Sequence, residues 1–204
     1  MTAATASHKN QKEGKNIEVP DFLIYEMDNG KPIYYRGYQD VLNETKTVEQ
    51  IMGSSAIHSL LIMLISDYIG KHLGENYLRL TGELGYQWAP KTWRNIDIAV
   101  YDKTKFKDKK AFLSNKHIDI APEIVIEIDT KADLSSEDYP DSYFHNKTDQ
   151  LLDNGVEKVI WLFTNTRKFL VAEKGKNWIL NSWSENFEIK NSIEINIEKL
   201  LEDF

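Results

Sequence analysis

The chain has 204 residues, 41% hydrophobic and 28% charged, the profile of a soluble globular protein with one sizeable domain or at most two small ones. It contains no cysteine, which excludes disulfides and thiolate metal sites. Its net charge of -7 argues against passive binding of nucleic acid through many phosphate contacts, but not against a cluster of carboxylates that hold a cation.

Residues 1–17 are polar and aperiodic and predict a disordered tail. They lack the apolar core of a secretory signal. The most apolar window, residues 57–69, is too short to cross a bilayer and is interrupted by His58 and Asp67. The expectation is a soluble cytoplasmic protein, with residues 18–204 forming one domain because no repeat or linker divides them. Two β-rich runs between Val19 and Tyr38 flank Asn29-Gly30, a strong hairpin signal. Val41 to Met52 reads as helix, with Thr47 and Gln50 spaced as a capping box. Ser54 or Ser55 caps a long helix that runs to His72 and stops at Gly74, its apolar residues recurring every three or four positions. Short strands follow at 77–80, 84–88 and 95–101, then a charged connector at 103–116. Residues 121–130, APEIVIEIDT, are the most strand-like in the chain. A polar loop at 131–141 leads to a helix over 143–154, closed by Gly155. Strands at 156–163, 169–172, 178–182 and 193–197 and a last helical turn at 198–201 complete the pattern. This order predicts an α/β fold, a mixed sheet flanked by helices and preceded by a β-hairpin.

Two strands carry an acid where burial is expected. In the run from Glu123 to Lys131, alternation places Ile124, Ile126, Ile128 and Thr130 on one face. Glu123, Val125, Glu127, Asp129 and Lys131 take the other. In the run from Asn95 to Tyr101, Asp97 stands among Ile96, Ile98 and Val100. One buried acid has many structural explanations, but two in neighbouring strands require shared compensation by a counter-charge or a metal. Two carboxylates suit Mg²⁺ or Mn²⁺, hard cations that take oxygen ligands.

The hairpin YEMDNGKPIYY, the helix bearing His58, NIDIAV, APEIVIEID and NGVEKVIWLF, in this order, resemble the PD-(D/E)XK nuclease superfamily. More closely they resemble the Uma-two family of candidate restriction endonucleases. The matching stretches run from Phe22 to Leu162. The resemblance implies a restriction-endonuclease-like sheet, with Asp97, Glu127 and the backbone carbonyl of Ile128 as ligands of Mg²⁺ or Mn²⁺. Ile96 replaces the family's proline. The E-x-K lysine position after Glu127 holds Asp129, so Asp129 is an additional acid. The lysine is either Lys131, from the literal D-x-K of residues 129–131, or Lys147 on the following helix. His58, Glu26, Glu49, Gln150 and Trp93 are candidate cleft residues. The other tryptophans, Trp178 among them, are read as packing, and His145 as surface.

The implied reaction is metal-assisted hydrolysis of DNA phosphodiesters, with a homodimer as a plausible way to cut both strands. The alternatives are a catalytically inactive nuclease fold acting as an interaction or structural module, and a hydrolase of small phosphoesters. No recognised DNA-reading motif is present, so specificity is not legible.

Overall fold

The computed structural model describes residues 19–106, 113–135 and 140–204. The expected tail at 1–17 lies outside them, as does part of the 103–116 connector. Strands β1 (Ile24–Asp28) and β2 (Lys31–Tyr34) form the expected hairpin, with Asn29 (φ 48°) and Gly30 (φ 82°) supplying the two positive-φ positions that such a tight turn requires. The helix expected over 41–52 is instead two short ones, α1 (Tyr38–Leu42) and α2 (Val48–Met52). Glu44 at φ 58° ends the first, and the reciprocal Thr47–Gln50 capping box starts the second. The long helix α3 (Ala56–Leu73) is capped by Ser55 and ends at Gly74, as its signals predict.

The strands expected at 77–80 and 84–88 are one, β3 (Tyr77–Ala89), bulged at Gly82 and Glu83, both at positive φ. It pairs antiparallel with β4 (Thr92–Asp102), which pairs antiparallel with β5 (Ile124–Ile128). Helix α4 (Pro140–Asp153) is the crossover to β6 (Lys158–Phe163), which runs parallel to β5. Antiparallel β7 (Lys168–Glu173) and β8 (Ile179–Ser182) follow. The sheet order is β2-β1-β4-β5-β6-β7-β8, with β3 also on β4. A strand the sequence reading missed, β9 (Phe187–Lys190), pairs with β10 (Ile193–Ile195) before the short α5 (Ile197–Glu202).

Two apolar layers sandwich the sheet. Leu61, Ile65 and Ile69 of α3 pack on Ile98, Val100, Ile124 and Ile126. Leu151 and Leu152 of α4 pack on the opposite face with Val125, Val159 and Trp161. Each such aliphatic side chain, fully buried, contributes about 1.5–3 kcal/mol relative to exposure. No helix among the described residues is long and apolar enough to cross a membrane.

One detail of register sets up the site. The β4–β5 ladder pairs Val100 with Ile124, Ala99 with Val125 and Ile98 with Ile126, and stops there. The next pair in that register would be Asp97 opposite Glu127. The strands part where the two acids stand.

Candidate active site

Asp97 and Glu127 are both almost fully buried, at 5% and 1% exposure. Asp97 Oδ2 accepts the Ile128 N–H at 2.8 Å, so its carboxylate spans the gap between the parting strands. The same oxygen lies 3.2 Å from His58 Nε2. Ser55 caps α3 through the His58 N–H, which places this histidine in the first turn, where it meets Asp97 at the middle of β4. Nδ1 of His58 has no hydrogen-bond partner among the described residues.

Lys147 decides the electrostatics. On α4, Tyr143, Lys147 and Gln150 recur at four- and three-residue spacing and form a polar stripe on a buried face. The Lys147 ammonium is wholly buried. It donates to Glu26 Oε1 at 2.8 Å and to the Asn95 carbonyl at 2.7 Å, and lies 3.1 Å from Glu127 Oε1. The rings of Trp161 and Tyr25 flank it at 5.4 and 6.0 Å. Burial alone would lower its pKa, but Glu127 and Glu26 outweigh that and raise it, so the lysine stays charged.

Glu26, read in the sequence only as a candidate cleft residue, is the hub of this network. A β-bulge between Ile24 and Glu26 buries Tyr25 and Glu26 in succession. Glu26 accepts from Lys147, from the Asn95 N–H at 3.2 Å, from the Tyr143 hydroxyl at 2.9 Å and from Arg94 Nη1 at 3.1 Å. Arg94, also buried, reaches Asp28 at 3.0 Å and Gln150 Oε1 at 2.7 Å. Sequence reasoning missed Arg94, Asn95 and Tyr143. For Arg94 a signal existed, since an arginine inside a strand bound for burial must have a carboxylate partner.

Of the three carboxylates buried here, Glu26 and Glu127 contact the buried cations Arg94 and Lys147, whereas Asp97 faces His58. Glu26 is fully satisfied and Asp97 is held by a backbone N–H. Glu127, with no partner but Lys147, is the least compensated of the three. Two of the three Lys147 protons go to Glu26 and Asn95, and the third faces Glu127 Oε1 at 3.1 Å without the alignment of a full hydrogen bond. Burial, with Asp97 and Glu26 close by, pushes the Glu127 carboxyl well above its ordinary range despite Lys147.

These residues fit a divalent cation. Two carboxylates and the Ile128 carbonyl are hard oxygen donors, and an under-compensated buried carboxylate is what a cation relieves. No cluster of three or more His, Asp or Glu side chains among the described residues could chelate an ion. A cation held here would be one such as Mg²⁺ that keeps several waters and takes one or two protein carboxylates.

Other sequence candidates go elsewhere. Asp129, expected on the Glu127 face, sits at φ 54°, which ends the strand and breaks the alternation. Its carboxylate accepts from the Thr164 N–H at 2.9 Å and the Thr164 hydroxyl at 2.5 Å, fastening the end of β5 to the turn after β6. Lys131, beyond the same break, pairs with Glu83 and donates to the Met52 carbonyl. Glu123 pairs with Lys190 at 2.5 Å. Of the two lysine candidates, Lys147 is the one beside Glu127. Glu49 is exposed on α2 and makes no contact with these acids. Trp93 packs on His117 at 4.6 Å. Gln150 joins the network through Arg94 and Asp28. Asp129→Asn is expected to lower stability by about 1 kcal/mol through a weaker Thr164 contact. It should leave metal affinity unchanged, which denaturant unfolding and calorimetry would check.

A cleft of about 1070 Å³ opens against this site. His58, Ile128, Thr148 and Trp161 are buried residues of its lining. Asp97, Glu127 and Lys147 do not line it but adjoin it, Asp97 against His58 and the other two next to Ile128 and Thr148 in the chain.

No family model and no curated protein matches the chain. Among solved structures it is similar to a protein from Anabaena variabilis described as a candidate nuclease of the DUF820 family. That match has a TM-score of 0.59 and 15% identity, and covers 87% of this chain and 89% of that one. At this identity the likeness shows a shared fold, a large mixed sheet flanked by helices.

Proposed function

We propose that this chain is a metal-dependent nuclease of the PD-(D/E)XK type, close to the Uma-two family, that hydrolyses phosphodiester bonds in DNA. The observation that carries the reading is the parting of β4 and β5 at Asp97 and Glu127, with buried Lys147 3.1 Å from Glu127. The shared fold with a protein described as a candidate nuclease agrees with it. Asp97, Glu127 and the Ile128 carbonyl would hold Mg²⁺ or Mn²⁺, which supplies Lewis-acid polarisation of the phosphate and a more acidic water. Lys147, kept charged by Glu127 and Glu26, offsets negative charge developing on the phosphate. Arg94 and Tyr143 fix Glu26 and so the direction in which Lys147 points. His58 bears on Asp97 and on the cleft, where it can orient the carboxylate or pass a proton.

The test is cleavage of plasmid and of single-stranded DNA with Mg²⁺ or Mn²⁺ by the wild type, Asp97→Asn and Glu127→Gln. The expected result is metal-dependent cleavage that falls roughly a hundredfold or more in both variants, the scale for removing one transition-state charge contact. Equal activity in all three proteins would refute the assignment. The near-complete burial of both acids favours one other reading, an inactive nuclease fold acting as an interaction module. Absence of both cleavage and metal binding would favour it over the nuclease reading.

A further inference from the structure

The cleft has a character that the whole chain does not. The protein carries a net charge of -7, yet the charged residues lining the cleft are Arg36, Lys46, Lys131 and Lys168 against Asp40 and Asp129. Lys131 is committed to Glu83 and Lys46 to Asp40. Arg36 is exposed and donates to the Thr130 carbonyl, leaving its charge unneutralised by any carboxylate contact among the described residues. Lys168 is exposed, with no ion pair there either.

Aromatic rings line the same cleft. His145 and Trp178 lie nearly parallel, 19° apart with centroids at 4.7 Å, and both line the cleft. His145 is exposed and Trp178 half-buried, so the pair forms a flat platform at the cleft wall rather than core packing. Exposed cations beside aromatic faces are the pattern that binds single-stranded nucleic acid, where phosphates track the cations and bases stack on the rings.

The candidate acids do not line the cleft but adjoin it, Asp97 against His58 and Glu127 next to Ile128.

We propose that the cleft binds single-stranded polynucleotide, with one base on the His145–Trp178 platform and the flanking phosphates on Arg36 and Lys168, and leads the strand to the Asp97–Glu127 site. This rests on the nuclease reading for its chemistry, but its binding claim is testable alone. The experiment is fluorescence anisotropy with a labelled 15-nucleotide single-stranded DNA, its RNA counterpart and the matching duplex, in Ca²⁺ buffer across a salt series. The expected result is tighter binding of a single strand than of the duplex, the DNA and RNA arms showing which sugar is preferred. Trp178→Ala should weaken single-strand binding about tenfold, within the range for stacking one base, and Trp178→Phe should retain most of it. Lys168→Ala should reduce the slope of log K against log salt by about 0.7. Tighter binding of duplex, or single-strand affinity unchanged in folded Trp178→Ala, Arg36→Ala and Lys168→Ala, would overturn the proposal. Metal-dependent cleavage of plasmid without single-strand binding sinks this inference and spares the nuclease reading. Single-strand binding without cleavage of any substrate does the reverse.

Discussion

Lys147→Met is expected to be the most damaging single substitution in the protein. It removes a cation shared by two buried carboxylates and leaves Glu26 and Glu127 facing each other near Asp97 with Arg94 alone. Removing one partner of a buried ion pair typically costs about 3–5 kcal/mol, because the remaining charge is stranded in low dielectric. Denaturant unfolding of wild type and variant measures the loss. The double variant Lys147→Met with Glu26→Gln should recover part of it, since the stranded charge at Glu26 is then gone. A double-mutant cycle gives the coupling. Cleavage should be lost in Lys147→Met and stay lost in the double variant, which separates the role of Lys147 at the site from its role in the fold. A loss of under 1 kcal/mol would mean that the buried network is not the tightly coupled unit described above.

Glu127→Gln should move stability in the opposite direction. Of these three acids, Glu127 is the least compensated, and its carboxyl is pushed well above its ordinary value of 4.5 by burial first and then by Asp97 and Glu26, against the pull of Lys147. A group with a raised folded pKa contributes stability that is full below its unfolded pKa and is lost as pH rises through the folded pKa. In metal-free buffer the wild type therefore forfeits this contribution progressively above pH 4.5, while glutamine does not titrate. The stability difference in favour of Glu127→Gln should grow with pH and reach on the order of 1 kcal/mol at neutrality. Lys147 tolerates the change because Glu26 and the Asn95 carbonyl still accept from it. Added Mn²⁺ should reverse the ranking, raising the melting temperature of the wild type by mass action and leaving Glu127→Gln where it was. Thermal unfolding across pH, with and without Mn²⁺, checks both halves. A Glu127→Gln protein less stable than wild type at every pH would show that Lys147 needs both carboxylates.

Much of this site was legible from residue order. Asp97 and Glu127 stood out because each interrupts an apolar strand, and a strand's period of two is simple enough to carry that signal. The fold class, the hairpin at Asn29-Gly30 and the caps at Ser55 and Thr47 were legible for the same reason, being local chemistry. The choice between Lys131 and Lys147 was not, because it turns on two tertiary facts. One is the positive φ of Asp129, which throws Lys131 off the face that alternation assigns it. The other is the rotation of α4, which aims Tyr143, Lys147 and Gln150 inward. The central place of Glu26 was hidden by a bulge, a register defect that a two-residue period cannot anticipate. Strand β9 was readable in principle, since Phe187 and Ile189 are buried while Glu188 is exposed and Lys190 half-buried. Its four residues are simply too few to stand out.

The most direct measurement is calorimetric titration of Mn²⁺ into the wild type, Asp97→Asn and Glu127→Gln at neutral pH. A cation site between the parted strands predicts saturable binding to the wild type that is lost, or weakened by about tenfold or more, in each variant. Binding of equal strength in all three proteins, or none in the wild type, would contradict it.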